Sequence, residues 1–105
     1  MGVPPPIPPI KYPNPVRIAM QYKQMLDGGE AESQADLARL LGVSRAKVTQ
    51  ILNLLKLEGE IREFILSLDD TDQWLEVLTE RKLRVWVKLP KKRQVEKFRK
   101  MVEEF

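Results

Sequence analysis

Residues 33–53 read SQADLARLLGVSRAKVTQILN, and this stretch decides the fold. Ser33 and Ser44 each stand where a hydroxyl oxygen caps the first turn of a helix, and Asp36 follows Ser33 at the spacing of a capping box. Gly42 lies between the two segments, where a tight turn favours a residue without a side chain. The pattern predicts two short helices that meet at this glycine.

The apolar residues of the same stretch indicate how the two helices pack. Ala38 is small at the position where the helices would approach most closely. We expect the neighbouring apolar side chains to form a wedge that sets the angle between the helices: Leu37, Leu41, Val43, Val48 and Ile51. An ordinary helical hairpin would not require this alanine, this glycine and this turn together. Residues 34–53 are therefore predicted to form a helix-turn-helix.

The two faces of the second helix differ in chemistry. One face is apolar when the residues are placed at helical spacing: Val48, Ile51, Leu52 and Leu55. The opposite face, called the polar strip below, carries small, hydroxyl and amide side chains: Ala46, Thr49, Gln50 and Asn53. A helix face that is merely solvated usually carries Glu and Lys, whereas these side chains suit hydrogen bonding to base edges. The strip is predicted to enter the major groove of double-stranded DNA.

Two groups of candidate site residues follow from this hypothesis. Four residues are expected to read base edges, with Ser44 and Ala46 at the mouth of the groove: Arg45, Thr49, Gln50 and Asn53. Gln34 and Lys47 are expected to hold phosphates. Three basic residues further along the chain are second-tier phosphate candidates: Arg81, Lys82 and Arg84.

The remaining sequence predicts more helices, and so a compact all-α domain of five to six helices. Asn14-Pro15 is a helix start and residues 27–29 are a stop, with Ile18, Tyr22, Met25 and Leu26 on the apolar side. A fourth helix is predicted over residues 60–68, with Ile61, Phe64, Ile65 and Leu68 facing inward. A fifth begins at the cap Thr79 and runs to Leu89, with Leu83, Trp86 and Val87 inward, before Pro90 interrupts the chain.

The last fifteen residues, 91–105, are predicted to form a basic amphipathic helix. Its apolar stripe is a candidate face for a homodimer: Val95, Phe98, Met101, Val102 and Phe105. Residues 79–105 hold ten basic and four acidic residues, a balance of +6, within a chain whose net charge is +3. Such a tail is suited to contact with phosphate, although mixed charge is also typical of a solvated helix.

Residues 69–72, Asp-Asp-Thr-Asp, are predicted to be a solvated loop. Three aspartates suggest a divalent metal as the alternative, but the loop lacks the glycine and the distal glutamate of a calcium-binding loop. We therefore expect no metal site and no cofactor.

Residues 1–14 are predicted to be an extended arm, because seven of the eight prolines lie among the first fifteen residues. Prolines at this density favour polyproline II and remove amide donors. A stiff spacer is the favoured interpretation. The alternative is an arm that binds a protein partner or lies on DNA.

The amino-acid composition excludes several classes of catalytic and metal-binding function. The chain of 105 residues has no histidine and no cysteine, so imidazole-based catalysis, thiolate zinc sites and disulfides are excluded. The acidic residues are scattered, without a base partner, and we expect no enzyme. Apolar runs are far shorter than the roughly 20 residues that a transmembrane helix needs, which predicts no membrane span and a cytoplasmic location.

Residues 33–57 and 60–65 together resemble the DNA-binding domain of the ParB and KorB partition proteins, and residues 78–84, LTERKLR, resemble a later helix of that family. The resemblance covers residues 15–90 and implies a helix-turn-helix that reads a short DNA site, supported by helices downstream. The chain departs from full-length ParB in lacking a nucleotide-binding domain and the arginine-rich CTP motif. A CTP clamp is therefore not implied, and we expect a stand-alone reader module.

The leading hypothesis is a sequence-specific DNA-binding protein that acts as a transcriptional regulator or as a partition or recombination accessory factor, with a plasmid or other mobile element as its setting. The alternative is an adaptor that binds a recombinase or a partition partner through the arm or the last helix. The target site, the biological outcome and the oligomeric state are open at this point. Because a net charge of +3 gives a monomer modest DNA affinity, a second reader domain is expected.

Overall fold

Helices account for most of the chain in the computed structural model, which describes Gly2 and residues 11–104. Within this part lie seven α-helices and no strand: α1 Pro15–Asp27, α2 Gln34–Leu41, α3 Arg45–Asn53, α4 Gly59–Leu66, α5 Trp74–Val77, α6 Glu80–Val87 and α7 Lys91–Glu104. A short 3₁₀ turn, Leu54–Lys56, continues α3. The predicted all-α class with a helix-turn-helix is confirmed, and α5 is an additional single turn. Predictions that concern residues 1, 3–10 and 105, which include most of the arm and Phe105, lie outside the described residues.

The predicted helix starts are capped by their own side chains. Asn14 Oδ1 accepts from the backbone N–H of Arg17 at 3.2 Å, Ser33 Oγ from Asp36 at 3.1 Å and Ser44 Oγ from Lys47 at 3.0 Å. Asp36 completes the cap of α2 one residue further out than a capping box requires, because its carboxylate accepts from the N–H of Glu32 at 3.0 Å. The N-terminus of α2 is therefore held on both sides of Ser33.

Gly42 has φ +69°, the left-handed conformation that the turn between α2 and α3 requires. Below this turn lies a small core formed by Ala31, Leu37, Ala38 and Val48. Leu41, which was predicted to join the wedge, is 36% exposed. The helix ends at Leu41 and the chain turns at once, which leaves Leu41 at the surface, while Val43 packs against the small core as predicted.

The main core includes Ile51 of α3 and is shared with α1, α4, α5, α6 and α7. Its fully buried members include Val16, Leu57, Ile61 and Leu83. On α1 the innermost residues are Val16 and Ala19, while the predicted stripe from Ile18 to Leu26 is half-buried on the flanks. The two cores together cover the buried face of α3, the small core at Val48 and the main core at Ile51.

The acidic loop after α4 is exposed at Asp69 and Asp70, and hydrogen bonds also anchor its side chains. Asp70 accepts a hydrogen bond of 2.9 Å from Arg17, whose guanidinium also donates to the backbone oxygens of Leu66 and Leu68. Asp69 accepts from Thr71, and this backbone hydrogen bond is the main cause that lowers the pKa of Asp69. Asp72 Oδ1 accepts from the N–H of Trp74, the first residue of α5. Each of these carboxylates accepts hydrogen bonds from a different residue. Within the described residues, no cluster of acidic side chains suited to a metal ion forms.

Helix α7 packs on α4 through a buried polar residue that the sequence analysis did not single out. Gln94 is 1% exposed, accepts from the N–H of Glu58 and donates to the carbonyl of Leu89, both at 2.9 Å. Phe98 lies edge-on to Phe64 with ring centroids 5.1 Å apart. No helix of the described part is long and apolar enough to cross a membrane.

Candidate nucleic-acid interface

Helix α3 lies between α2 and α6 and is buried on one side only. Val48 is fully buried and Ile51 is 3% exposed, which is the apolar face that the sequence predicts. Arg45, Ala46 and Thr49 are exposed on the other side. The polar strip therefore faces outward over the first two turns of α3.

Thr49 connects the polar strip to the start of α2. Its hydroxyl donates to Oε1 of Gln34 at 2.9 Å and lies 3.3 Å from the carbonyl oxygen of Arg45. Gln34 is the first residue of α2 and is exposed. One predicted base-reading residue and one predicted phosphate ligand are thus brought into direct contact.

The second half of the polar strip faces α6. Gln50 is half-buried and its Oε1 accepts a hydrogen bond of 2.8 Å from Nη1 of Arg84. Asn53 is half-buried as well and lines a cleft of about 300 Å³ between α3 and α6. The cleft is also lined by five residues of α6 and the turn after it: Arg81, Arg84, Val85, Val87 and Lys88.

Glu80, the first residue of α6, holds two of the predicted phosphate ligands. Its carboxylate pairs with Nζ of Lys47 on α3, and its Oε2 lies 3.5 Å from Nε of Arg84 one turn further along. That Nε atom is buried and has no hydrogen-bond partner within the described part of the chain. The side chains are partly exposed, 42% for Lys47, 36% for Arg84 and 22% for Glu80. The network Lys47–Glu80–Arg84–Gln50 ties α6 to α3.

Comparison with known protein families supports the assignment of a helix-turn-helix domain. The sequence model of the ParB HTH domain matches residues 13–105, nearly the whole chain. The chain belongs to the ParB HTH domain family. This is a family of DNA-binding domains and not a family of enzymes. Neither the curated proteins nor the solved structures provide a match.

In this ParB HTH domain the candidate residues occupy three adjoining places, with Lys82 apart from them. Ser44, Arg45 and Ala46 form the exposed start of α3, where the Ser44 hydroxyl already serves as the helix cap. Thr49, Gln50 and Asn53 continue the surface towards α6. Arg81 is exposed at the cleft, and Lys82, which is half-buried, lies on the other side of α6 beside Trp86.

Sequence reasoning missed Glu80 as a member of this ParB HTH site. Its spacing from Arg84, four residues with the acid first, is a recognisable signal for an ion pair within one helix. Its pairing with Lys47, 33 residues earlier, had no such signal, because it depends on how α6 packs on α3.

Proposed function

We propose that this ParB HTH domain binds a specific site on double-stranded DNA by placing α3 in the major groove. The observation that carries the proposal is the outward exposure of Arg45, Ala46 and Thr49 while Val48 and Ile51 are buried beneath them. A major groove admits one α-helix, and amide, hydroxyl and guanidinium groups match the hydrogen-bonding edges of the bases there. The small Ala46 allows close approach of the helix to the groove floor.

The candidate residues then have distinct roles. Arg45, Thr49, Gln50 and Asn53 read base edges, and Ser44 and Ala46 lie at the groove mouth. Gln34 and Lys47 hold phosphates on either side of α3, and Arg81, Lys82 and Arg84 extend the phosphate contact along α6. In this assignment, residues 15–90 supply the DNA-reading unit and residues 91–105 extend it.

A homodimer through α7 is part of the proposal, because a modest net charge limits the affinity of one copy. Val102 is 39% exposed and Met101 is half-buried near the end of this helix. Two linked readers would bind an inverted repeat with half-sites about 34–36 Å apart, or a multiple of that distance. Regulation of transcription, or assistance to partition or recombination of a mobile element in the cytoplasm, is the setting we propose.

Selection of bound sequences from a random duplex pool tests the function directly. We expect an enriched motif, and an inverted repeat if α7 joins two copies. The full chain should protect that motif in footprinting and should prefer it over a scrambled duplex by about 10³-fold or more. A pool that stays random after repeated rounds would contradict the proposal.

A further inference from the structure

Glu80 lies in the middle of the basic surface that the proposed function assigns to DNA. As the first residue of α6, directly after the Thr79 cap, its carboxylate is favoured by the helix N-terminus. It contacts Lys47 from α3 and Arg84 from its own helix. An acidic side chain at this position repels phosphate. Its presence among the residues proposed to contact DNA therefore requires a reason other than DNA affinity.

Stability of the fold is a weak explanation for an acidic residue at position 80. Ion pairs between side chains that are partly exposed contribute little to folding, because water screens the charges and the side chains lose entropy. The Glu80 pairs belong to this class, with Lys47 and Arg84 each more than a third exposed. The arrangement does, however, restrain the two cations, and Arg84 in turn restrains Gln50.

We propose that Glu80 is a specificity-determining residue, which lowers binding to DNA of arbitrary sequence by competing with phosphate for Lys47 and by keeping Arg84 on Gln50. This inference rests on the proposed function. Non-specific binding comes almost entirely from cations that neutralise phosphates. A carboxylate that occupies two such cations penalises every DNA equally, whereas a Gln50 held in one orientation benefits only the site that matches it. Glu80 therefore widens the ratio between specific and non-specific affinity.

The test replaces Glu80 by Gln, which keeps the length of the side chain and removes its charge. Affinities of the full chain are measured between 50 and 300 mM salt, on the selected duplex and on a scrambled duplex. For E80Q we expect scrambled-duplex affinity to rise about three- to tenfold and the slope of log K against log salt to steepen by about one, as for one additional phosphate contact. Affinity for the selected duplex should rise less, so the specificity ratio, which is the affinity for the selected duplex divided by that for the scrambled duplex, falls.

Glu96→Gln is the matched control. Glu96 pairs with Arg93 within α7, so this variant changes the net charge by the same amount away from α3. Its specificity ratio should equal that of the wild-type chain. A ratio that is unchanged in E80Q, or that changes as much in E96Q, overturns the inference.

Lys47→Met, introduced into both the wild-type chain and E80Q, tests whether Glu80 acts by competing with phosphate for Lys47. If Glu80 competes for Lys47, the loss of scrambled-duplex affinity on removing Lys47 is larger in E80Q than in the wild type, and equal losses contradict this. Should E80Q not fold by circular dichroism, Glu80→Asp replaces it. The shorter acid loses reach to Lys47, so the specificity ratio must fall part of the way, and an unchanged ratio again overturns the inference. Absence of any selected site in the wild type would instead refute the proposed function.

Discussion

Nη1 of Arg84 donates a hydrogen bond of 2.8 Å to Oε1 of Gln50 and so joins α6 to the polar strip of α3. If α3 enters the major groove as proposed, the amide oxygen of Gln50 is already engaged, and its amide nitrogen, which is a donor, is the atom left to contact a base edge. Donors match acceptors on base edges, such as N7 and O6 of guanine or O4 of thymine. Adenine, which pairs best with both atoms of an amide group, is less suited to this arrangement.

Gln50→Ala should relax base preference at one or two positions of the selected site. A good contact to a base edge discriminates against the wrong base by about 1–3 kcal/mol, and the variant loses this at the positions that Gln50 reads. Repeating the selection with the variant measures the effect, since the motif should lose information there and keep it elsewhere. Gln24→Ala, at an exposed position on α1, is the control and should leave the motif unchanged. A motif that is identical for Q50A and the wild type would refute the role of Gln50.

Lys47→Met should weaken binding to selected and scrambled duplexes by the same factor, because a phosphate contact carries no sequence information. The salt slope should flatten by somewhat less than about one, since Glu80 already competes for this lysine. Titrations over a range of salt measure both quantities. Lys23→Met removes one positive charge from the far end of α1, where Lys23 pairs with Asp27, and should change the slope less. A loss confined to the selected duplex would mean that Lys47 reads bases instead.

The sequence was sufficient for the parts of the structure that depend on local chemistry. The caps at Ser33 and Ser44, the left-handed Gly42 and the buried face at Val48 and Ile51 all follow from residue type and helical spacing. These features also define which side of α3 faces outward. The outward orientation of Ala46 and Thr49 could therefore be predicted before any tertiary contact was known, whereas Gln50 and Asn53 are half-buried because α6 packs beside them.

The errors and omissions arise where tertiary contacts decide. Helix α5 is a single turn without an apolar period, and the carboxylate of Asp72, two residues before it, accepts from its first backbone N–H, that of Trp74. Leu41 has a helical spacing from Leu37 but is exposed, because the helix ends there. Gln94 is polar on a basic helix and is nevertheless buried, since its amide bridges α4 and α6 at their ends. Such positions depend on the path of the chain and not on the local pattern.

Asn14→Ala should destabilise the fold by about 1–3 kcal/mol, because it removes a helix cap and one of the two hydrogen bonds that the carbonyl oxygen of Ile65 accepts. Asn14 is buried, caps α1 through Arg17 N–H and donates to the backbone oxygen of Ile65 at 2.8 Å. Asn14→Ser is the matched variant, since serine keeps the cap and loses the reach to Ile65. The free energy of unfolding, measured in urea at neutral pH, should be highest for the wild type, lower for N14S and lowest for N14A. Equal stability of the two variants would mean that the cap contributes nothing measurable.

Asp36→Asn should lower stability at neutral pH and have no effect in strong acid. The backbone N–H of Glu32, and then Arg39, hold the pKa of Asp36 below its ordinary value of 3.8. A carboxyl whose pKa is lower in the folded state contributes stability above the unfolded pKa, and this contribution is lost as pH falls through the folded pKa. The thermal midpoints of D36N and wild type should therefore differ at pH 7 and converge below about pH 4.

Ser33→Ala provides the uncharged comparison for the same helix end. It removes the hydrogen bond from Asp36 N–H without removing a carboxylate, and should cost about 1 kcal/mol. Because a hydroxyl does not titrate in this range, the offset of S33A from wild type should persist from pH 7 down to pH 2, where that of D36N vanishes. Parallel pH profiles for D36N and wild type would show that the charge of Asp36 does not stabilise the start of α2.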